Sequence, residues 1–404
     1  MLKAYRSNNS GNRDESYYTM KKIGLLLAYG LNYGAVLQAY ATQKVIKNMG
    51  VDAVIISHKP SRLFRHIRFN VGNLFFLMQK VLKKFQPKPK GVEFDDYHKL
   101  FLNKRRNNFK RFIDGRFEKI QKYTSYRDLR NGASIYDAVL IGSDQMWLPE
   151  SMVDYLNSLY FVPKHVKKIS YATSLGVSSY PWYTHAASKE AWKRMNFISV
   201  REEQGKEIID NICKGSPPVE VVCDPTYLLT KQEWEKLIPF EQIYSDKYVF
   251  AYFLGNNPKL FSIAREYAND RGLKLVSIPS SEYMVDGDTS YPDVLFSDAD
   301  PVEFLNLVRG SECVLTDSFH GLAFSVINEK QFYIFYPKRD NIKQSRNSRI
   351  NNILKMWGVK ERLHDDNIAR LSEFDKEPID YKMVTSKVLK KREESLAFLH
   401  NALT

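Results

Sequence analysis

The sequence predicts an α/β protein built from two doubly wound domains that face each other across a cleft. Three observations predict it. At 404 residues the chain is long enough for two domains. Short runs rich in Val, Ile and Leu alternate with helix-period stretches, the pattern of parallel strands covered on both faces. After the polar, charged segment 230–247 that alternation begins again from a new strand. The expected division is a polar tail over 1–19, a first domain over 20–235 and a second over 236–404 that ends in helices.

The first strand is expected at 23–28. With Lys21 and Lys22 before it, this stretch imitates a secretory leader, and Met20 offers an alternative start. No small-residue cleavage site follows, and the chain runs directly into Asn32-Tyr33-Gly34 and a helix over 35–49. A second strand spans 51–57. Beyond an insertion, strands at 136–142, 168–174, 197–201 and 219–224 and a helix over 188–195 complete the first half. The second half reads as strand 248–253, helix 258–271, strand 273–278, helix 301–309, strand 312–315, helix 324–328 and strand 331–335. A last helix opens at Asn347-Ser348-Arg349-Ile350 and runs through Trp357.

Composition narrows the class. With 44% hydrophobic and 26% charged residues the chain is globular, and no apolar run approaches the ~20 residues of a membrane span. Three cysteines (Cys213, Cys223 and Cys313) form no C-x-x-C pair, which argues against a disulfide framework and fits a reducing, cytoplasmic compartment.

The net charge of +14 is local. Residues 59–130 hold 20 Lys and Arg against 6 Asp and Glu, a surplus equal to that of the whole chain. Within this expected helical insertion, Leu74, Leu77, Val81 and Phe85 share a helical face flanked by Lys80, Lys83 and Lys84. Residues 86–90 break that helix, and Lys104-Arg105-Arg106 and Lys110-Arg111 follow in another. Such an insertion is either a solvated face or a peripheral contact with an anionic membrane, which would place the protein at the inner leaflet. No nucleic-acid-binding motif accompanies the charge, so a nucleic-acid partner is not expected.

Several segments sit where a doubly wound sheet binds its ligands, beyond strand C-termini. Asn32-Tyr33-Gly34 joins a strand to a helix whose N-terminus suits an anion, although its glycines match neither a dinucleotide fingerprint nor a P-loop. A plain strand-to-helix connection explains that segment equally well. Asp144, Gln145 and Trp147 place a carboxylate, an amide and an indole at one strand end, a set that can hold a polyol or simply cap a turn. Arg201 follows a buried strand and can fork onto phosphate or carboxylate, or pair with Glu202 or Glu203. In Thr316-Asp317-Ser318-Phe319-His320-Gly321, His320 stands near a helix start with Asp317 placed to orient it. Arg346 and Arg349 are further anion contacts. No cluster with metal-ligand spacing is present in the sequence.

Taken in order, six segments resemble the polysaccharide pyruvyl transferase family over roughly residues 22–363. They are Asn32 to Tyr40, Ser143 to Trp147, Ser199 to Glu202, Asp224-Pro225-Thr226, Thr316 to Gly321 and Asn347 to Ile350. The resemblance implies two Rossmann-like domains similar to GT-B glycosyltransferases. It also implies transfer of pyruvate from phosphoenolpyruvate onto a sugar of a surface polysaccharide, or of its lipid-linked precursor, as a cyclic ketal. His320 is then the acid. The family carries Arg where this chain has Ser318, so the donor is expected to meet Arg201 and Arg349, with Ser318, Gly321, Asn32 and Gly34 beside it. Asp144, Gln145 and Trp147 are expected to face the acceptor. Phosphoenolpyruvate is a substrate, and no cofactor or metal is expected. Two other readings share these residues: a glycosyltransferase using a nucleotide sugar, and a non-catalytic subunit of polysaccharide assembly, which Ser318 keeps open.

Overall fold

A computed structural model describes residues 21–58, 96–152, 154–214, 217–255, 257–280, 290–337, 347–368, 370–375 and 377–404. The expected N-terminal tail, the helix with Leu74 to Phe85, the break at 86–90 and Arg346 lie outside the described residues.

Two parallel sheets form the frame. The first contains β1 (Lys22–Leu26), β2 (Asp52–His58), β3 (Ile120–Tyr123), β4 (Ala138–Ile141), β5 (Lys167–Thr173), β6 (Phe197–Val200) and β7 (Val219–Val221). Their spatial order is β3-β2-β1-β4-β5-β6-β7. The second contains β8 (Tyr248–Tyr252), β9 (Lys274–Ser277), β10 (Val294–Leu295), β11 (Cys313–Thr316), β12 (Gln331–Phe335) and β13 (Leu363–His364), in the order β10-β9-β8-β11-β12-β13. Central strands such as β4 and β11 are buried along their whole length, which is why they read as unbroken apolar runs. Strand order reverses between β1 and β4 and between β8 and β11. In a doubly wound sheet such a reversal is where ligands ordinarily bind, beyond the strand C-termini.

Helix α1 (Tyr33–Asn48) follows β1 and is buried over nearly its whole length between the two sheets. Tyr33 stacks on Phe304 with ring centroids 4.8 Å apart and donates its hydroxyl to the carbonyl of Ala299 at 2.8 Å. One continuous apolar core therefore joins the domains.

The structure alters three expectations. The insertion is not helical throughout: its end supplies β3, an edge strand on β2, and α3 (Tyr126–Ala133), after α2 (Asp96–Arg116). Gln121 and Lys122 are exposed on β3, so it lacks the apolar run that marks an inner strand. The basic stretch is not wholly solvated either. In α2, Phe109 and Phe112 pack on Tyr33 and Tyr40. Arg105 is buried and donates to the carbonyls of Ser297 at 2.8 Å and Pro279 at 3.0 Å in the second domain. Finally, the last helix, α11 (Tyr381–Leu403), returns to the first sheet. There Phe398 packs on Tyr171 and Phe197, and Ser395 Oγ accepts from the Cys223 amide at 3.0 Å. No described helix is long and apolar enough to cross a membrane.

Candidate active site

The site is built where helices from the two crevices meet end to end. Asn32 caps α1, its Oδ1 accepting from the Ala35 amide at 3.0 Å. Gln38, one turn further in, donates to the Ala28 carbonyl at 2.7 Å and accepts from the Ser143 amide at 3.4 Å, so α1 ties the ends of β1 and β4 together. Opposite stands α9 (Phe319–Ile327), which begins earlier than the expected 324 because Ser318 caps it, accepting from the Gly321 amide at 3.3 Å.

His320 lies in the first turn of α9 and is only 6% exposed. A Cβ placed on Gly34 would fall 2.1 Å from both Cγ and Nδ1 of the imidazole. Gly34 is thus a glycine because the ring occupies the space that a side chain would fill.

Asp224, just past β7, organises the charge. Its Oδ2 accepts from Arg201 NH1 at 2.5 Å and from Ser143 Oγ at 3.0 Å, and stands 3.7 Å from His320 Nε2. Its Oδ1 accepts from the amide and hydroxyl of Thr226 at 3.0 and 2.9 Å. Burial pushes this carboxyl up, but His320, Arg201 and the Thr226 amide outweigh it and hold the group far below the ordinary carboxylate range. Arg201 is 3% exposed and lies 4.0 Å above the Phe319 ring. Burial lowers its pKa, yet Asp224, Asp144 and Glu202 more than offset this, and the net shift is upward. Asp144, held at φ +65°, stands 3.5 Å from Arg201 NH2 and 4.0 Å from Arg349 NH1. With its amide oxygen turned to the guanidinium, Gln145 accepts from Arg349 NH2 at 2.8 Å. Among the described residues, the buried Arg201 Nε, Arg201 NH2 and His320 Nε2 make no hydrogen bond, although NH2 and Nε2 face Asp144 and Asp224 at ion-pair distance.

His320, Arg201, Arg349, Asp144, Gln145, Ser318, Asn32 and Gly34 are therefore gathered at one place. Two expected roles are corrected. The carboxylate of Asp317 accepts from the amides of Leu254 at 2.6 Å and Gly255 at 2.7 Å, tying β8 to β11, while the carboxylate facing the imidazole is Asp224. Trp147 is fully buried, edge-on to Trp192, and donates its indole N–H to the Asn157 carbonyl at 3.1 Å, so it offers no face to a sugar. Gly321 gives its amide to the Ser318 cap and lies against Thr316, where a Cβ would meet Oγ1 at 2.5 Å.

Two residues join the site with no role expected from the sequence. Asp224 had a legible signal, an acidic residue closing the apolar run Val221-Val222-Cys223 ahead of a proline. Asn352 had none. It sits on α10 (Ser348–Trp357), donates to the Arg201 carbonyl at 3.0 Å and accepts from the Glu203 amide at 3.3 Å, holding Arg201 from the other domain.

The model of the family described as polysaccharide pyruvyl transferase matches residues 32–339. No curated protein matches the chain in sequence. Among solved structures, Medicago truncatula UGT71G1 complexed with UDP-glucose is similar at 12% identity and a TM-score of 0.48, over 95% of this chain and 98% of that one. UDP-GlcNAc 2-epimerase from Methanocaldococcus jannaschii is similar at 11% identity and a TM-score of 0.48, over 91% and 92% of the two chains. The Neisseria meningitidis UDP-GlcNAc 2-epimerase bound to UDP-GlcNAc follows at 12% identity and a TM-score of 0.46, over 94% of each chain.

Proposed function

The chain belongs to the polysaccharide pyruvyl transferase family, and from that premise we propose that it moves pyruvate from phosphoenolpyruvate onto two hydroxyls of a glycan as a cyclic ketal. One observation carries the reading: Arg201 and His320 meet over the buried carboxylate of Asp224, and Arg201 Nε, Arg201 NH2 and His320 Nε2 are buried there with ion-pair neighbours but no well-formed hydrogen bond among the described residues. Buried polar groups without hydrogen bonds cost free energy, and a small dianion beside a proton acceptor fits that set. Arg201 and Arg349 suit the carboxylate and phosphate of the donor, because a guanidinium forks onto either group. The N-terminus of α1 adds a favourable dipole at Gly34.

In the reaction, protonated His320 delivers its proton to the methylene carbon of phosphoenolpyruvate, which becomes the ketal methyl group. The adjacent carbon turns electrophilic and takes the oxygen of the first sugar hydroxyl, whose proton passes to Asp144. Phosphate leaves with the C–O bonding pair, and a second hydroxyl closes the ketal. Of the two hydroxyl protons, one replaces that given by His320 and the other leaves on phosphate. Asp224 holds a negative charge beside the imidazole throughout.

The test is a calorimetric titration with phosphoenolpyruvate, followed by a phosphate-release assay with and without glycan acceptors. Binding together with acceptor-dependent phosphate release is expected. Failure of the wild-type protein to bind phosphoenolpyruvate ends this reading.

A further inference from the structure

The guanidinium of Arg201 is held loosely for a group so deeply buried. NH1 donates to Asp224 at 2.5 Å and the group lies 4.0 Å above the Phe319 ring, while Nε and NH2 make no hydrogen bond among the described residues. One hydrogen bond and a ring face leave the aim of the guanidinium dependent on where its backbone stands.

That backbone is a short junction. Strand β6 ends at Val200, Glu202 is extended at φ −132° and ψ 143°, and α5 (Glu203–Ile212) then begins. The first amides of a helix need acceptors from outside it, ordinarily from the side chain at the N-cap. Glu202 occupies that position and does not cap the helix. Its Oε1 accepts instead from the Ser174 hydroxyl and the Leu175 amide, each at 2.9 Å.

The cap comes from the other domain. Asn352 Oδ1 accepts from the Glu203 amide at 3.3 Å, and its Nδ2 donates to the Arg201 carbonyl at 3.0 Å. A carboxamide is a peptide group in miniature. Here it bonds to a C=O and an N–H two residues apart on an extended segment, as a neighbouring strand would. Both bonds need a donor and an acceptor on one short side chain; aspartate lacks the donor and leucine lacks both. Asn352 also stands one turn beyond Arg349 on α10. The same helix therefore carries Arg349 directly and grips Arg201 through Asn352.

We propose that Asn352 is a positioning residue for the anionic donor: by holding the backbone on both sides of Glu202 it aims Arg201, and it does so only while the two domains are docked. This rests on the transfer reading above for the identity of the anion. Helix α10 then sets the spacing of both cationic contacts, so the donor site is complete only when the second domain lies against the end of β6.

Two variants test the role. Asn352→Leu removes both bonds without adding charge, and Asn352→Asp keeps the acceptor but removes the donor. In both, Kd and KM for phosphoenolpyruvate should rise about three- to thirtyfold. At saturating phosphoenolpyruvate, kcat should stay within about twofold, the reverse of His320→Ala. The melting temperature should fall in Asn352→Leu and be largely kept in Asn352→Asp, because aspartate caps a helix about as well as asparagine. Affinity lost without stability thus separates positioning from capping, and leucine controls for the charge that aspartate adds. In an Arg201→Ala background, Asn352→Leu should weaken binding no further. Unchanged KM in both variants, a loss confined to Asn352→Asp, a fall in kcat alone, or full additivity with Arg201→Ala overturns the role. The same titrations are run with inorganic phosphate. A wild type that binds phosphate with this dependence on Asn352 and Arg201, yet ignores phosphoenolpyruvate, sinks the transfer reading and leaves the positioning role standing. A wild type that binds neither anion removes both.

Discussion

Gly34 and His320 meet across the domain junction so closely that no side chain fits between them: a Cβ on the glycine would lie 2.1 Å from the imidazole Cγ. The imidazole ring is thus positioned by the absence of an atom on the opposing helix. Gly34→Ala must displace the imidazole, and ketal formation falls about 100-fold or more, the usual worth of a general acid. Melting temperature also falls. In Gly34→Ala/His320→Ala the clash is gone, and alanine favours a helix over glycine by about 0.5–1 kcal/mol. The double variant should melt no lower than His320→Ala alone; simple additivity of the two losses would refute the contact.

His320→Ala separates chemistry from binding. It should still bind phosphoenolpyruvate, because Arg201 and Arg349 remain, while phosphate release with acceptor drops by about 10²–10⁴-fold. Full activity in the variant would remove His320 from the acid role.

The two arginines should fail differently. Arg349 is partly exposed at the rim, so Arg349→Ala weakens phosphoenolpyruvate binding by about 1.5–3 kcal/mol and leaves the melting temperature nearly unchanged. Arg201→Ala weakens binding too, but it also strands the buried carboxylate of Asp224 and lowers stability. Paired calorimetry and thermal melts distinguish them.

Asp224→Asn tests the electrostatic centre. Removing one partner of a buried pair costs about 3–5 kcal/mol at pH 7. The sign of its pH dependence follows from the depressed pKa: the unfolded carboxyl takes up its proton near pH 4, the folded one only well below that. The stabilisation is therefore complete above about pH 4 and declines as pH falls further. Wild type should lose stability more steeply than Asp224→Asn between pH 5 and pH 3 in denaturant titrations. Parallel pH profiles would count against the pairing.

The basic stretch makes a separate prediction. Lys104, Arg106, Lys110 and Arg111 are exposed on α2, whereas Arg105 is committed to the second domain. If the acceptor is lipid-linked, co-sedimentation should require anionic lipid and weaken with salt, at about 1 kcal/mol for each cation near the surface. Replacing Arg106, Lys110 and Arg111 together by Gln should reduce it, whereas equal binding to neutral vesicles would count against this role.

The sequence by itself determined the inner strands, the helices that follow them and the places where chemistry-bearing segments stop. Those properties are local: apolar runs such as 138–141 make buried parallel strands, and caps such as Asn32 and Ser318 start helices wherever the fold places them. His320, Arg201 and Arg349 were legible as site residues for the same reason, since each closes or follows an element whose end faces the crevice. Which groups touch was decided only by tertiary structure. Asp317 and Asp224 both follow strands, but Asp317 is drawn to two amides at the end of β8 while Asp224, distant in sequence, meets the imidazole. Trp147 and Trp182 are equally aromatic, yet one fills a core and the other faces solvent. Strand β3 and the return of α11 depend on pairing and packing against distant segments, which leave no periodic trace in their own residues. A side chain's direction beyond a strand end is set by what lies across the cleft, and that opposing surface comes from a different domain.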